Sequence, residues 1–410
     1  MPATFATPLR QSPRSDILEW RFPKPYHNLT LTGRSRAAWH TSFVIPQLNL
    51  LLDAGLVVNN LRPKHIFLTH GHSDHTLLTP AFVKRSDPPD IYCPAEMKDA
   101  LDGFINAKTM LSEGGGIWPP ESKSPYLQKY IQKEDGSSGP SNLKGGTRQI
   151  HVEPDKQRNR SCSRTREDQE QQKEAEEEKK EKEIEEKDDI HPLLRTHAIH
   201  PLHPGATVTL PRLPPPQSYT ATAFVCDHTV PCLGYLFSAV TPKLRPEYRG
   251  LPGAQLRALR EEGKVEITAP VATPVFAFLG DTTASVLAAG PKWLRPSSPH
   301  EEKKDGGGGG GGGGERGQAV RVVITECSFL WEEHREQAEK TRHTIWADLE
   351  PVVRRCPETV FVLMHFSLRY SDEEIRAFFR DRDVPENVVI WVDGVGDEDD
   401  NEDGANKGRR

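Results

Sequence analysis

From about Leu18 to Ala54 the chain sets apolar against polar positions in short blocks. Leu29-Thr30-Leu31-Thr32-Gly33 alternates, and Thr41 to Ile45 and Leu48 to Asp53 are apolar runs, so this stretch predicts the opening strands of a sheet. Ile66-Phe67-Leu68 continues the pattern, and Ile91-Tyr92-Cys93 predicts a further strand closed by Pro94. Helix is expected on either side of that strand, over Ala81 to Lys84 and Ala95 to Phe104. Apolar periodicity is lost from about Lys133 to Ile190 and returns at Ala198. Beyond it Val208-Thr209-Leu210, Tyr219 to Val225, Gly234 to Phe237, Val275 to Leu279, Val322 to Ile324 and Phe361 to Met364 read as strands, several of them apolar throughout and therefore buried on both faces. Strands interleaved with helices over this length predict an α/β domain.

Composition narrows what that domain can be. Hydrophobic residues make up 35% of the 410, and 32 Gly with 35 Pro leave a good part of the chain outside any core. The net charge of −6 is unevenly placed: Thr165 to Asp189 holds thirteen acids against six bases, and Gly394 to Arg410 six against three. The rest of the chain is mildly basic, at +4, which permits a phosphate-bearing substrate. Six cysteines without a C-x-x-C pair argue for reduced thiols in an intracellular protein, with cytosol, nucleus and organelle left open. No run of 18 apolar residues exists to span a membrane.

The most informative stretch is Thr69-His70-Gly71-His72-Ser73-Asp74-His75, where an apolar strand ends in a turn with three imidazoles and a carboxylate within six positions. Neutral imidazole and carboxylate suit zinc, and manganese or iron less exclusively. His70 and His72, two apart, can reach one ion while Asp74 and His75 turn toward a second. This H-x-H-x-D-H pattern resembles the first metal motif of the metallo-β-lactamase fold superfamily, which implies an αβ/βα sandwich of four layers. The resemblance also implies that Asp53, at the end of an apolar strand and two before Gly55, accepts a hydrogen bond from a metal histidine and fixes its ring. A turn role for Asp53 is the alternative.

Four later stretches repeat the logic of a strand ending in one chemically active side chain: His228 between two strands, Asp281 after Val275 to Gly280, Glu326 after Val322 to Thr325, and His365 after Phe361 to Met364. Together these suggest a two-ion site, with His70, His72 and His228 on one ion, Asp74, His75 and His365 on the other, and Asp281 bridging. Such a pair lowers the pKa of water toward ~7 and stabilises charge on a phosphoryl or carbonyl oxygen. His191, His197, His200 and His203 alternate with Pro at the start of a connecting strand and are read as structural or exposed.

The later motifs are similar to those of ribonuclease Z, the tRNA 3′-processing endonuclease family of this fold. Thr69 to His75, His228 to Phe237, Leu279 to Thr282, Glu326 with His343-Thr344, and Met364 to Tyr370 carry the similarity, and Leu244 to Ile267 resembles the family's substrate arm. The resemblance implies a zinc enzyme with Asp74 at the catalytic centre and His343 as the acid that protonates the leaving 3′ oxygen. Glu326 would be bonded to His343 and raise its pKa, and Ser367 and Arg369 would hold the scissile phosphate. It implies precursor tRNA as the partner and a homodimer. The family's Pro-x-Lys-x-Arg loop has no counterpart in Gly33 to Ala38, and the arm has Gly253-Ala254 in place of Gly-Pro. Hydrolysis of small esters, thioesters or cyclic nucleotides, and a metal-free scaffold role, therefore stay open.

The expected organisation is one hydrolase domain over residues 18 to 393. Residues 1 to 17 read as a disordered start that also fits a targeting segment, with Arg10 and Arg14 and no acid before Asp16. Disordered insertions are expected at about 133 to 190 and 296 to 318, the second holding nine consecutive glycines, and an acidic disordered tail over 394 to 410.

Overall fold

A computed structural model describes residues 4–8, 17–112, 192–261, 263, 265–294 and 319–393. The expected insertions and the acidic tail lie outside the described residues. The described chain falls into two units, one of Met1–Ile105 with Thr196–Arg410 and one of Asn106–Arg195, of which only the end of a helix and a 3₁₀ turn at Pro192–Leu194 are described. The first unit carries the sheets and the site.

Its N-terminal strands are β1 (Thr4–Pro8), β2 (Leu18–Arg21), β3 (Thr30–Arg36), β4 (His40–Ile45), β5 (Leu50–Leu52), β6 (His65–Phe67), β7 (Asp90–Pro94) and β8 (Ala198–Leu202), hydrogen-bonded in that order. The C-terminal strands are β9 (Thr207–Thr209), β10 (Tyr219–Val225), β11 (Leu233–Leu244), β12 (Thr268–Phe278), β13 (Val322–Glu326), β14 (Val360–Met364) and β15 (Val388–Asp393), again paired in sequence order. β1 joins the two sheets, running parallel to β15 and antiparallel to β2. A disordered start was expected there; Thr4–Pro8 has no alternation of its own and becomes a strand through the partners on either side of it.

The helices are α1 (Ser73–Thr76), α2 (Lys98–Ser112), α3 (Gly253–Glu261), α4 (Ser285–Ala288), α5 (Arg335–Thr341), α6 (Trp346–Arg355) and α7 (Asp372–Arg380). The expected helix at Ala81 to Lys84 does not form: Pro80 allows a single 3₁₀ turn, Thr79–Ala81, and the chain then leaves it. The one expected at Ala95 begins with a 3₁₀ turn, Ala95–Met97, and continues as α2. α7 starts at a capping box in which Ser371 Oγ accepts from the Glu374 amide at 3.1 Å and Glu374 accepts from the Ser371 amide at 2.7 Å. Its buried face is Ile375, Phe378 and Phe379, at helical spacing.

Three apolar clusters define the layers. Phe43, Phe67, Tyr235, Phe237, Phe276 and Trp391 fill the space between the two sheets. Ile66, Leu68 and Ile91 meet Leu101 and Ile105 of α2 on the outer face of the N-terminal sheet. Leu279, Val323 and Leu363 meet Trp346, Leu349 and Phe379 from α6 and α7 on the outer face of the other. The result is the four-layer αβ/βα sandwich expected from the sequence. β6, β13 and β14 run parallel to their neighbours, so their C-terminal ends deliver side chains to one rim, where parallel α/β sheets place their sites. The long hairpin of β11 and β12 ends in α3, which buries no side chain, at the place of the expected arm.

Candidate metal centre

Two glycines let the ligand loops converge. A Cβ on Gly280 would lie 2.5 Å from the Thr69 side chain, and one on Gly55 would lie 1.9 Å from the Asp74 carbonyl oxygen. Three non-glycine residues of the site adopt left-handed backbone: Asp53 at φ 55°, Arg342 at φ 52° and His365 at φ 62°. Such backbone is costly and persists where the surrounding contacts over-determine it.

His70, His72, His228 and Asp281 present one ligand atom each to a common point, and Asp74, His75, Asp281 and His365 do so at a second. In the first group His70 Nε2 is 3.1 Å and His228 Nε2 3.3 Å from His72 Nδ1, while Asp281 Oδ2 lies 3.7 and 3.9 Å from His70 and His228. In the second, His75 Nε2 and His365 Nε2 are 3.3 Å apart, with Asp281 Oδ1 at 3.3 and 3.4 Å from them and Asp74 Oδ2 at 3.6 and 3.4 Å. A tetrahedral ion with bonds of ~2.0–2.1 Å has ligand edges of roughly 3.3 Å, so both groups have the right size. Asp281 faces one group with each oxygen.

The hydrogen bonds behind the rings decide which nitrogens point inward. Asp53 Oδ2 accepts from His75 Nδ1 at 2.7 Å, and Asp53 also accepts the Thr69 amide at 2.8 Å and the Thr69 hydroxyl at 2.9 Å. Thr69 Oγ1 in turn sits 3.0 Å from His70 Nδ1, so Asp53 orients His75 directly and His70 through Thr69. Glu326 repeats the arrangement. Ser328 Oγ donates to Glu326 Oε2 at 2.6 Å and lies 3.1 Å from His365 Nδ1, and His228 Nδ1 reaches the Arg342 carbonyl at 3.2 Å. With each Nδ1–H used outward, the Nε2 atoms of His75 and His365 both face Asp281 Oδ1, a buried acceptor with no hydrogen-bond partner among the described residues. Once deprotonated, the two rings and the carboxylate present three lone pairs that a cation satisfies, and imidazole with carboxylate fits a borderline divalent one.

Electrostatics agree with that fit. Burial, with His75 next to it, pushes His70 well below the usual imidazole range, and burial also lowers His228, so both are neutral donors. Burial opposes ionisation of Asp281, but the charges of His365 and His75 outweigh it and hold the carboxyl well below its ordinary value. His75 is held well above the imidazole range: burial opposes its charge, and the Asp281 and Asp53 carboxylates more than offset that. A metal held by the second group would take the place of that proton.

Glu326 and His343 are brought together beside the second group. Glu326 is fully buried and accepts from the amides of Thr282 at 2.7 Å and Thr344 at 3.1 Å, and His343 Nδ1 lies 2.8 Å from its Oε1. His343 is 16% exposed, with its ring 5.1 Å from that of His228 and 5.5 Å from that of His365. Burial opposes its charge, yet the Glu326 carboxylate by charge and hydrogen bond carries it up to about 9. It follows α5 in a loop; the charged stretch from Trp331 to Arg342 is a surface helix only over Arg335–Thr341.

Ser367 and Arg369 stand on the loop after His365. The Arg369 guanidinium is 3.2 Å from Ser367 Oγ and 3.0 Å from Gln337 Oε1, over the Phe329 ring. That loop is fixed from β3: Arg36 donates to the carbonyls of Ser367 and Tyr370 and pairs with Asp372, and the Ala37 amide donates to Phe366 at 3.1 Å. Of the histidines read as structural or exposed, His197 bonds to Asp102 at 3.1 Å and His200 to Asp90 at 2.9 Å, and His191 lies outside the described residues. Sequence reasoning missed Thr69, Ser328 and the Arg342 carbonyl. For the two hydroxyls the available signal was position, one before His70 and two after Glu326; a backbone carbonyl leaves none.

Residues 45–210 match the family model of the metallo-beta-lactamase superfamily. A chloroplastic tRNase Z of Arabidopsis thaliana is 28% identical over 201 residues, 46% of this chain and 49% of that one. A nuclear ribonuclease Z of Triticum aestivum is 34% identical over 89 residues, 21% of this chain and 47% of that one. The chain spans about half the length of the curated relatives it matches. Among solved structures, human tRNase Z, short form, aligns over 88% of this chain and 95% of its own at 14% identity and a TM-score of 0.38.

Proposed function

We propose, for a chain that carries a metallo-β-lactamase superfamily domain with ribonuclease Z-like relatives, that it is a zinc-dependent phosphodiesterase that removes 3′ trailers from precursor tRNA. The observation that carries this is the shared carboxylate: Asp281 turns one oxygen to each of two four-atom groups, with an acid, His343, at their edge. Bound there, two divalent ions would supply an activated water and neutralise the charge that builds on a phosphoryl oxygen.

The chain's own residues would do the rest. Asp74 is held well below the usual carboxylate range: burial opposes ionisation, and the His365 hydrogen bond with the His75 and His365 charges overcomes it. So weak a base suits orienting a water better than taking its proton. The Ala38 amide, donating to Asp74 Oδ2 at 3.0 Å, keeps that carboxylate in place. His343 spends Nδ1 on Glu326, which leaves Nε2 as the atom that protonates the departing 3′ oxygen. Ser367 and Arg369 would receive the non-bridging phosphate oxygens, Arg369 through a forked contact once it leaves Gln337. A homodimer follows from the same family resemblance, and light scattering on the purified chain checks it.

The test is cleavage of a precursor tRNA bearing a 3′ trailer by the zinc-loaded protein, beside a small chromogenic phosphodiester, with Asp74→Ala as control. RNA cut by the wild type and spared by the control supports the reading. Hydrolysis of the small diester alone overturns the RNA substrate and favours a small-molecule hydrolase. Inactivity on both, in protein without bound zinc, favours the scaffold role.

A further inference from the structure

A cavity of about 330 Å³ opens beside His343, and no residue of the mechanism above other than His343 lines it. Its apolar walls are Ala284, Ala288, Ala338 and Ile345, and its rim holds Arg335, Asp348 and Glu339. We propose that this cavity receives the nucleoside immediately 5′ to the cut, the one whose 3′ oxygen leaves, and that it favours bases with an exocyclic amino group. The proposal rests on the endonuclease reading and adds a subsite to it.

Three observations lead there. First, His343 Nδ1 is engaged by Glu326, so the departing oxygen meets Nε2, and the nucleoside attached to that oxygen lies next to the ring that also lines the cavity. The imidazoles of His228 and His365 already stand 5.1 and 5.5 Å from that ring, and the cavity is lined by the same ring. Second, the volume is at the low end of small-ligand sites, about 300–1,000 Å³, and suits one nucleoside, not a paired stem.

Third, the charge at the rim selects what enters. Arg335 is already neutralised by Asp348 at 2.9 Å and by Glu332, with Glu339 at 3.9 Å, so the rim carries a surplus of carboxylate. A second phosphate is repelled there, whereas an amino group on a base edge can donate to Asp348 or Glu339. The hydroxyls of Thr283 and Ser285 are bonded to each other at 2.6 Å, and Thr283 to Asp227 at 2.8 Å, so the apolar walls are left to the face of a base.

Ala288 is exposed on α4 and belongs to no ligand or acid, so Ala288→Trp fills the cavity without touching the chemistry. The experiment is a cycle: zinc-loaded wild type and Ala288→Trp, each with a trailer-bearing RNA that has adenosine, uridine or an abasic ribose 5′ to the cut. Losing the base or filling the cavity should each lower kcat/KM by about tenfold to a hundredfold, and both together should cost no more than one alone. Equilibrium binding of the uncleaved adenosine and abasic RNAs in chelator should show the same coupling.

Multiplicative losses, an unaffected Ala288→Trp, or uridine handled as well as adenosine would each overturn the proposal while RNA cleavage stands. A wild type that cuts no RNA would overturn the endonuclease reading and this proposal together, which separates the two failures. Zinc content and melting temperature establish that the variant is folded, and Ser285→Phe from the neighbouring exposed position repeats the test if it is not.

Discussion

Glu326→Gln isolates the acid. In the wild type burial opposes charge on His343 and Glu326 overrides it, carrying the imidazole up to about 9. Removing the carboxylate charge returns the ring at least to the free imidazole value of ~6.5, and burial takes it lower. The sign follows: the donating form exists below the pKa and is lost as pH rises through it, so the variant loses its acid at lower pH than the wild type. At pH 8 a group of pKa ~9 is ~90% protonated and one of ~6.5 is ~3% protonated, a ~30-fold fall in the active form that narrows to within about threefold at pH 6. The assay is kcat/KM against pH for a trailer-bearing RNA, whose leaving alkoxide needs a proton, beside a nitrophenyl diester, whose leaving group does not. The expected result is an alkaline limb displaced to lower pH for RNA only. An equal, pH-independent loss on both substrates would refute the reasoning and leave Glu326 as a brace for Ser328 and the Thr282 and Thr344 amides.

Other expectations concern the metals and the phosphate. Asp281→Ala removes a ligand from both groups, so zinc measured by elemental analysis should fall from two per chain and RNA cleavage should be lost; two ions retained after gel filtration would sink the bridging role. Asp53→Ala frees the rings of His75 and His70 and should weaken metal binding by about 10–100-fold in a chelator competition, with an unchanged affinity reducing Asp53 to a turn residue. Because a cation has to displace the proton that Asp281 and Asp53 hold on His75, apparent metal affinity should climb with pH, by about tenfold per unit while one proton is released. A flat profile between pH 6 and 8 would contradict this. Arg369→Ala should raise KM for RNA by about tenfold and leave zinc content alone, as removal of one charge-assisted phosphate contact would.

Local order in the chain was enough to determine much of this protein. Spacing within His70 to His75, and the recurrence of an apolar strand ending in His228, Asp281, Glu326 or His365, make the convergence of these candidate ligands legible because neighbouring strands, most of them parallel, deliver their C-terminal residues to one rim. The same strands, apolar throughout or alternating, set the αβ/βα sandwich, since a run buried on both faces has to lie between layers. What the sequence could not carry was distance in space. Thr69 and Ser328 become relays only because Asp53 and Glu326 sit beneath them, and hydroxyls near a ligand are common without such a role. Thr4–Pro8 is a strand because β2 and β15 leave a slot, a fact of partners and not of propensity. The cavity beside His343 is assembled from α4, α5, the start of α6 and the loops between them, more than sixty residues apart in the chain. Its shape and its surplus of carboxylate exist only once those elements pack, because concavity and net field belong to a surface and no single segment holds either.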